Sequence, residues 1–237
     1  MGMRQHIISL AALLALVGCA APPITLERSF WDKKSARVAI AMATTPQADA
    51  AQVCSKCGVA DFLIADALNP PPLKSHLASL DVSRIDTLPN RLAGVLEKQG
   101  IPVRILEERL TIEDYPSANA TAFENLYDRD FSALAARDRF DHLLLVRVFG
   151  VGAQRGYYAF FPATDPSGRF NAEAYLIDVH TRKLLWRRLV NVSRPVKEPW
   201  DQPPDYPNLT VAINDAMNAG IGIIVTDFSW FADNPRR

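Results

Sequence analysis

The chain has 237 residues, about half of them apolar, with 26 Lys plus Arg balanced by 26 Asp plus Glu. That length suffices for one good-sized domain with a proper core and does not require two. The balanced charge gives no argument for nucleic acid or an anionic surface as the partner, and there is no internal repeat or low-complexity tract.

At the N-terminus one basic residue, Arg4, precedes an unbroken small and apolar run from Ile7 to Val17. These are the n-region and h-region of a secretion signal, too short to span a bilayer comfortably. The run ends in Leu16-Val17-Gly18-Cys19, which resembles the lipobox of bacterial lipoproteins. The resemblance implies cleavage before Cys19, a diacylglyceryl group on its sulfur and a further acyl chain, palmitate or similar, on the new amine. Several acyl chains make a stable anchor to the lipid bilayer where one would not. The competing reading, an ordinary signal or short anchor helix, fits less well because Ala20-Ala21-Pro22-Pro23 cannot continue a helix. By the same resemblance Ala20 is not the aspartate that retains lipoproteins in the inner membrane, so the expected location is the outer membrane, facing the periplasm. The expected layout is a signal peptide over 1–18, a lipidated Cys19 with a tether over 19–35, and a single α/β domain over 36–237.

Within that domain Arg37 to Ala43 is an apolar run of strand length, ended by Thr44-Thr45-Pro46. A small-residue loop holding Cys54 and Cys57 follows. The spacing predicts a helix over Val59 to Leu68, stopped by Asn69-Pro-Pro-Pro72, and a second helix through Leu88, Leu92, Val95 and Leu96 with Gly100 as its C-terminal cap. Ile101 to Leu106 reads as a strand, completing a β-α-β unit. Glu107 to Asn125 is polar and aperiodic and reads as a surface loop. A short helix near Phe131 to Arg137 leads into the strand Asp141 to Phe149, and Tyr157 to Phe161 is a further strand candidate. Phe170, Ala172, Ala174 and Leu176 alternate with polar residues, and Leu184, Trp186, Val190 and Val192 continue the alternation after a turn over 178–183. A Pro-rich loop, 195–207, precedes a final helix from about Leu209 to Phe228, whose stripe includes Ala216, Gly220, Ile223 and Ile224. No second apolar run reaches the length of a membrane span. The expected fold class is α/β, a two-layer or three-layer sandwich with a mixed parallel and antiparallel sheet and flanking helices, in the order β-α-β-α-β-β-β-β-α.

The hairpin Asn171 to Trp186, with Asp178 ending one strand, Thr181 in the turn and Trp186 on the return, resembles a pattern in several bacterial envelope lipoproteins. These are the curli-secretion lipoproteins, the penicillin-binding-protein activator lipoproteins and relatives of the TolB N-terminal domain. The turn carries Arg182 where those families commonly have Gly. The resemblance implies a small α/β fold and a non-catalytic accessory or assembly role, with no particular residues for chemistry.

Cys54-Ser-Lys-Cys57 is the sharpest local feature. With Cys19 lipidated these are the remaining thiols, and in an oxidising compartment the bland reading is a structural disulfide. The alternative is a thiol-disulfide protein, since a CxxC before a helix acquires a depressed thiol pKa. Against that, no aromatic precedes Cys54 and no proline lies just before Asp141. A metal site finds too few ligands among the scattered His6, His76, His142 and His180, Gly58 excludes the usual c-type haem sequence, and no nucleophile elbow or phosphate loop appears. No cofactor is expected, and the protein is read as not an enzyme. Tyr157, Tyr158, Phe160 and Phe161 read first as core. Trp200, Tyr206, Trp230 and Phe231 flank the last helix among prolines and are the expected surface for an envelope protein partner.

Overall fold

The computed structural model describes residues 22–32, 34–54, 57–67, 69–118 and 125–233. Cys19 and the signal region lie outside them. The elements are helix α1 (Arg28–Asp32), strands β1 (Val38–Met42) and β2 (Asp49–Cys54), helices α2 (Val59–Ala67), α3 (Pro71–Ala78) and α4 (Leu88–Lys98), strand β3 (Val103–Ile105), helix α5 (Ser132–Asp138), strands β4 (His142–Tyr158), β5 (Phe161–Pro162), β6 (Ser167–Asp178) and β7 (Leu184–Pro195), and helix α6 (Pro207–Asp233). The sheet runs β3-β1-β4-β6-β7, with β2 and β5 also pairing with β4. β1 pairs with β3 and β4 in parallel, and β4, β6 and β7 are antiparallel neighbours. The expected mixed sheet with flanking helices is therefore present.

The sheet is covered on both faces at one end and on one face at the other. All five residues of β1 are buried, because Val38, Ile40 and Met42 face one apolar cluster and Ala39 and Ala41 the other. The first cluster takes side chains from α1, α3, α4 and α6. The second is built by Phe131, Leu134 and Ala135 around α5, with Leu110, Ile112 and Tyr127 from the preceding loop. Helix α6 is long and apolar enough to cross a membrane by composition alone. Its buried residues Leu209, Ile213, Ala216, Ile224 and Phe228 pack against β6 and β7, which accounts for that composition. Ile223, expected in the buried stripe, is instead partly exposed. The close approach depends on glycine: a Cβ on Gly220 would stand 2.1 Å from the ring of the fully buried Phe170, and one on Gly168 would stand 2.3 Å from the backbone of Ala212.

Several boundaries differ from the sequence reading. Residues 49–54, expected as loop, form β2, which extends the line of β1 along the far half of β4. The prolines after Asn69 begin α3 instead of only ending α2: Pro70 is its N-cap and Pro71 its first residue, where a missing N–H costs nothing. The two strand candidates at 141–149 and 157–161 are largely one strand of 17 residues, which bulges between Val148 and Gly150. The tether is shorter than 19–35, because Leu26, Phe30 and Trp31 are core residues. The cap at Gly100 is as expected: its φ is +71°, its N–H donates to Glu97 and the Ile101 N–H to Leu96.

One polar clamp ties the starts of β1 and β4 together. The Arg37 guanidinium donates to Asp141 from Nε at 3.0 Å and from Nη2 at 2.7 Å, and the Arg37 backbone N–H donates at 3.2 Å. The hydrogen bond from Arg37 holds the Asp141 carboxyl at about 2, against an ordinary value of 3.8, with burial opposing. A carboxylate depressed in the folded state stabilises fully above its unfolded value, and that contribution is lost as pH falls through the folded one. The stability gap between the native chain and Asp141→Asn should therefore narrow in urea unfolding as pH is lowered from about 5 to about 2; a constant gap would contradict the clamp. Gly220→Ala should cost about 1–3 kcal/mol through overpacking against Phe170. Gly94→Ala, where nothing lies within 4 Å of the added Cβ, should gain up to about 1 kcal/mol from helix propensity. Thermal unfolding of the two variants tests both signs.

Candidate functional site

At the far end of the sheet β2, β4 and β5 converge with Cys54 opposite Tyr157 and Tyr158 opposite Phe161. Here Cys54 and Cys57 are joined in a disulfide with Cα atoms 5.8 Å apart. The Cys57 sulfur lies 3.0 Å from the carbonyl oxygen of Ala159, at the turn of the β4–β5 hairpin. The bridge thus ends β2 and fixes the start of α2 beside the hairpin. The Gly58 N–H donates to the Asp61 carboxylate at 2.8 Å.

Helix α2 has the sequence VADFLIADA and buries none of its described side chains. Val59 is 81% exposed, Leu63 68% and Ile64 44%. Beside it, Val53 on β2 and Tyr158 and Phe161 on the hairpin are each more than half exposed. Phe160 and Phe161 stack with centroids 4.2 Å apart. Of the aromatic group at 157–161, expected as core, only Tyr157 is buried. The result is an apolar tip of large side chains gathered around the disulfide. Isolated exposed apolar residues are ordinary; six of them gathered at one end of a sheet are the feature that sets this end of the molecule apart.

The four aromatics expected to form a partner surface do not come together. Tyr206 is buried, with its ring 5.4 Å from that of His76, and belongs to the core. His76 in turn is 2.8 Å from the Thr210 hydroxyl, and burial lowers its pKa. Trp200 is half-buried on the wall of a cavity of about 140 Å³ lined also by Ala50, Leu73, Ala153 and Tyr157, with the Arg155 guanidinium 5.1 Å above its ring. Trp230 is 46% exposed near the other end of α6, about 30 Å from Leu209 at 1.5 Å per residue. The side chain of Phe231 lies outside the described residues. Near Trp230, Asp227 accepts from the Trp186 indole at 2.9 Å and pairs with Arg188 at 3.4 Å, a structural network between α6 and β7. Among the described residues no group of three His, Cys, Asp or Glu is placed to hold a metal.

A signal for the tip was present in the sequence: α2 is apolar on every side, with charges only at Asp61 and Asp66. A buried helix would show the same composition, and only the fold reveals that none of the described side chains of this one is buried.

If the bridge holds α2 in place, Cys54→Ser with Cys57→Ser should lower stability by about 2 kcal/mol or less, as expected for so short a loop. Hydrogen exchange should rise at residues 59–67 while β6 keeps its protection. Unchanged exchange at α2 would deny the bridge that role.

No family model matches the chain, and no curated protein matches it. Among solved structures, the chain is similar to the PelC dodecamer from Paraburkholderia phytofirmans, with 10% identity over 88% of this chain and 94% of that one and a TM-score of 0.38. A protein from Xanthomonas campestris assigned to DUF330 has 13% identity over 92% and 93%, with a TM-score of 0.36. The lipoprotein GNA1162 from Neisseria meningitidis has 15% identity over 78% and 99%, with a TM-score of 0.33.

Proposed function

We propose that the chain is a lipoprotein of the bacterial cell envelope, anchored through acylated Cys19 at the periplasmic face of the outer membrane. There it acts as a non-catalytic accessory or assembly protein that engages an envelope protein through its apolar tip. The observation that carries the contact role is α2 itself, whose large aliphatic side chains Val59, Leu63 and Ile64 are exposed, beside exposed Tyr158 and Phe161.

A protein is the better occupant of this tip than the lipid that holds the anchor. The tether is pinned where Ile24 pairs with Arg187 on β7, a position level with Tyr175 on β6 and Leu145 on β4. Tyr158 lies thirteen residues farther along β4, a rise of about 40 Å. The few residues between Cys19 and Ile24 span less than half of that. The tip is therefore offset along the sheet from the point where the acyl chains of Cys19 enter the bilayer, beyond their reach. Its mixture of aliphatic and aromatic side chains suits the apolar centre of a protein interface.

A photo-crosslinking residue at Leu63 in the full-length chain should capture a discrete envelope protein in intact cells, whereas one at the exposed Arg91 on α4 should not. Leu63→Glu with Phe161→Glu should remove the capture while shifting stability by no more than about 0.5 kcal/mol, because both sites are exposed. Capture that persists in that variant would overturn the tip as the contact surface. Cys19→Ala should move the protein from the membrane to the soluble fraction.

A further inference from the structure

We infer that the domain lies with the β7 edge of its sheet against the bilayer, so that this edge meets the anionic headgroup layer. The inference rests on the acylation of Cys19 proposed above, and it adds which side of the domain faces lipid.

The chain is fixed to the folded body almost as soon as it leaves Cys19. The Ile24 N–H donates to the Arg187 carbonyl at 3.1 Å, and the Arg187 N–H donates back to Ile24 at 2.9 Å. The Arg187 guanidinium also donates to the carbonyl of Pro22. Leu26, Phe30 and Trp31 then enter the core. Only two residues, Ala20 and Ala21, separate Cys19 from Pro22, and the three Cα–Cα steps span about 10 Å when fully extended. Strand β7, with 12 residues, is about 40 Å long. A leash a quarter the length of the edge it leaves from cannot let the domain turn that edge away from the lipid.

The direction of the leash follows from the pairing. Ile24 is antiparallel to Arg187, so the residues before it head along β7 towards Asn191. Pro22 and Pro23 have no N–H with which to continue the ladder. Beyond Arg187 no described strand pairs with that side of β7. An open strand edge of this length invites pairing with other chains unless something covers it, and apposition to the membrane covers it.

The charge on this strand fits the same partner. β7 carries Arg187, Arg188 and Arg194 with no acidic residue, and Lys197 follows beside an exposed Glu198. Arg188 is directed to Asp227 on α6, whereas Arg194 and Lys197 are exposed. In a chain of zero net charge this is a local basic edge, and basic side chains close to an anionic headgroup layer are attracted to it. With β7 against the lipid, β4 and β2 stand two and three strand spacings above it, about 10 and 15 Å, and the apolar tip projects sideways over the membrane surface.

The test uses the full-length acylated chain in vesicles of phosphatidylglycerol and phosphatidylcholine that carry a headgroup quencher. Cys19 is blocked by acylation and the Cys54–Cys57 pair by its bridge, so a single introduced cysteine takes the fluorophore. Fluorescence from Asn191→Cys on β7 should be quenched several-fold more strongly than from Arg104→Cys on β3, the opposite edge. A long flexible Gly-Ser insertion before Pro22 should bring the two values together. Equal quenching at the two positions in the chain of native length, or a preference that survives the insertion, overturns the inference. Mass spectrometry of the same preparation reads acylation separately: an unacylated Cys19 overturns the anchor and the orientation together, whereas an acylated chain with equal quenching overturns the orientation alone.

Discussion

Strand β4 is the constraint on which the rest of the molecule depends, because it bonds to β1 and β2 on one side and to β5 and β6 on the other. Its first half, Leu143 to Val146, is fully buried between the two apolar clusters, and there hydrophobic burial sets the register. Its second half is rich in small residues: Gly150, Gly152, Ala153 and Gly156. Gly152 has φ +127°, and a Cβ there would stand 2.2 Å from the carbonyl oxygen of Asp49, so β2 docks where only glycine leaves room. The strand thus outruns its core, and the end that projects is held by means other than burial.

Those means are distributed along the projecting arm. Asp49 pairs with Arg169 across from the glycines, Arg155 spans from the Thr164 carbonyl to the face of Trp200, and the disulfide closes the end. None of these substitutes for a core in free energy, and surface ion pairs contribute little. What they supply is geometry. They keep β2, α2 and the hairpin in fixed relation while their large side chains stay in water.

Legibility in the sequence followed the same division. Wherever a segment buries one face, its period announced it: β1, the β6–β7 alternation, α4 with its glycine cap, and α6 were all readable. The hairpin turn was readable too: Asp178, a turn-forming residue, accepts from the N–H groups of His180 and Thr181, and Arg182 closes the turn with φ +62°. β2, with the sequence DAAQVC, was not readable: it is shielded by ladder pairing more than by apolar side chains and shows no alternation of burial. α1 is five residues, too short for a periodic signal, and its Phe30 and Trp31 were hidden in a stretch that composition alone labels a tether. For the candidate site, Cys54 and Cys57 were legible from spacing. The exposed state of Leu63 and Phe161 was not, since sequence gives apolarity and only topology gives the absence of a cover. Tyr206 was misread for the converse reason: prolines around it suggested a surface loop, and the loop folds inward onto His76.

An exposed apolar helix is a cost to a lone domain, and its persistence has a physical explanation in the way α2 is held. A segment that stays loose until it meets a partner must lose its conformational freedom on binding, which offsets much of the contact energy. Here the bridge at Cys57 fixes one end of α2 and the prolines that start α3 follow closely after the other, so the helix is ordered beforehand. An interface formed on such a surface keeps more of the free energy released when Val59, Leu63, Ile64 and Phe161 leave water. The N-terminal segment follows the same logic at the other end of the sheet, where the bridge between Ile24 and Arg187 of β7 orders the chain. A domain held on a short leash and presenting a rigid tip restricts both where a partner can bind and how it must be oriented.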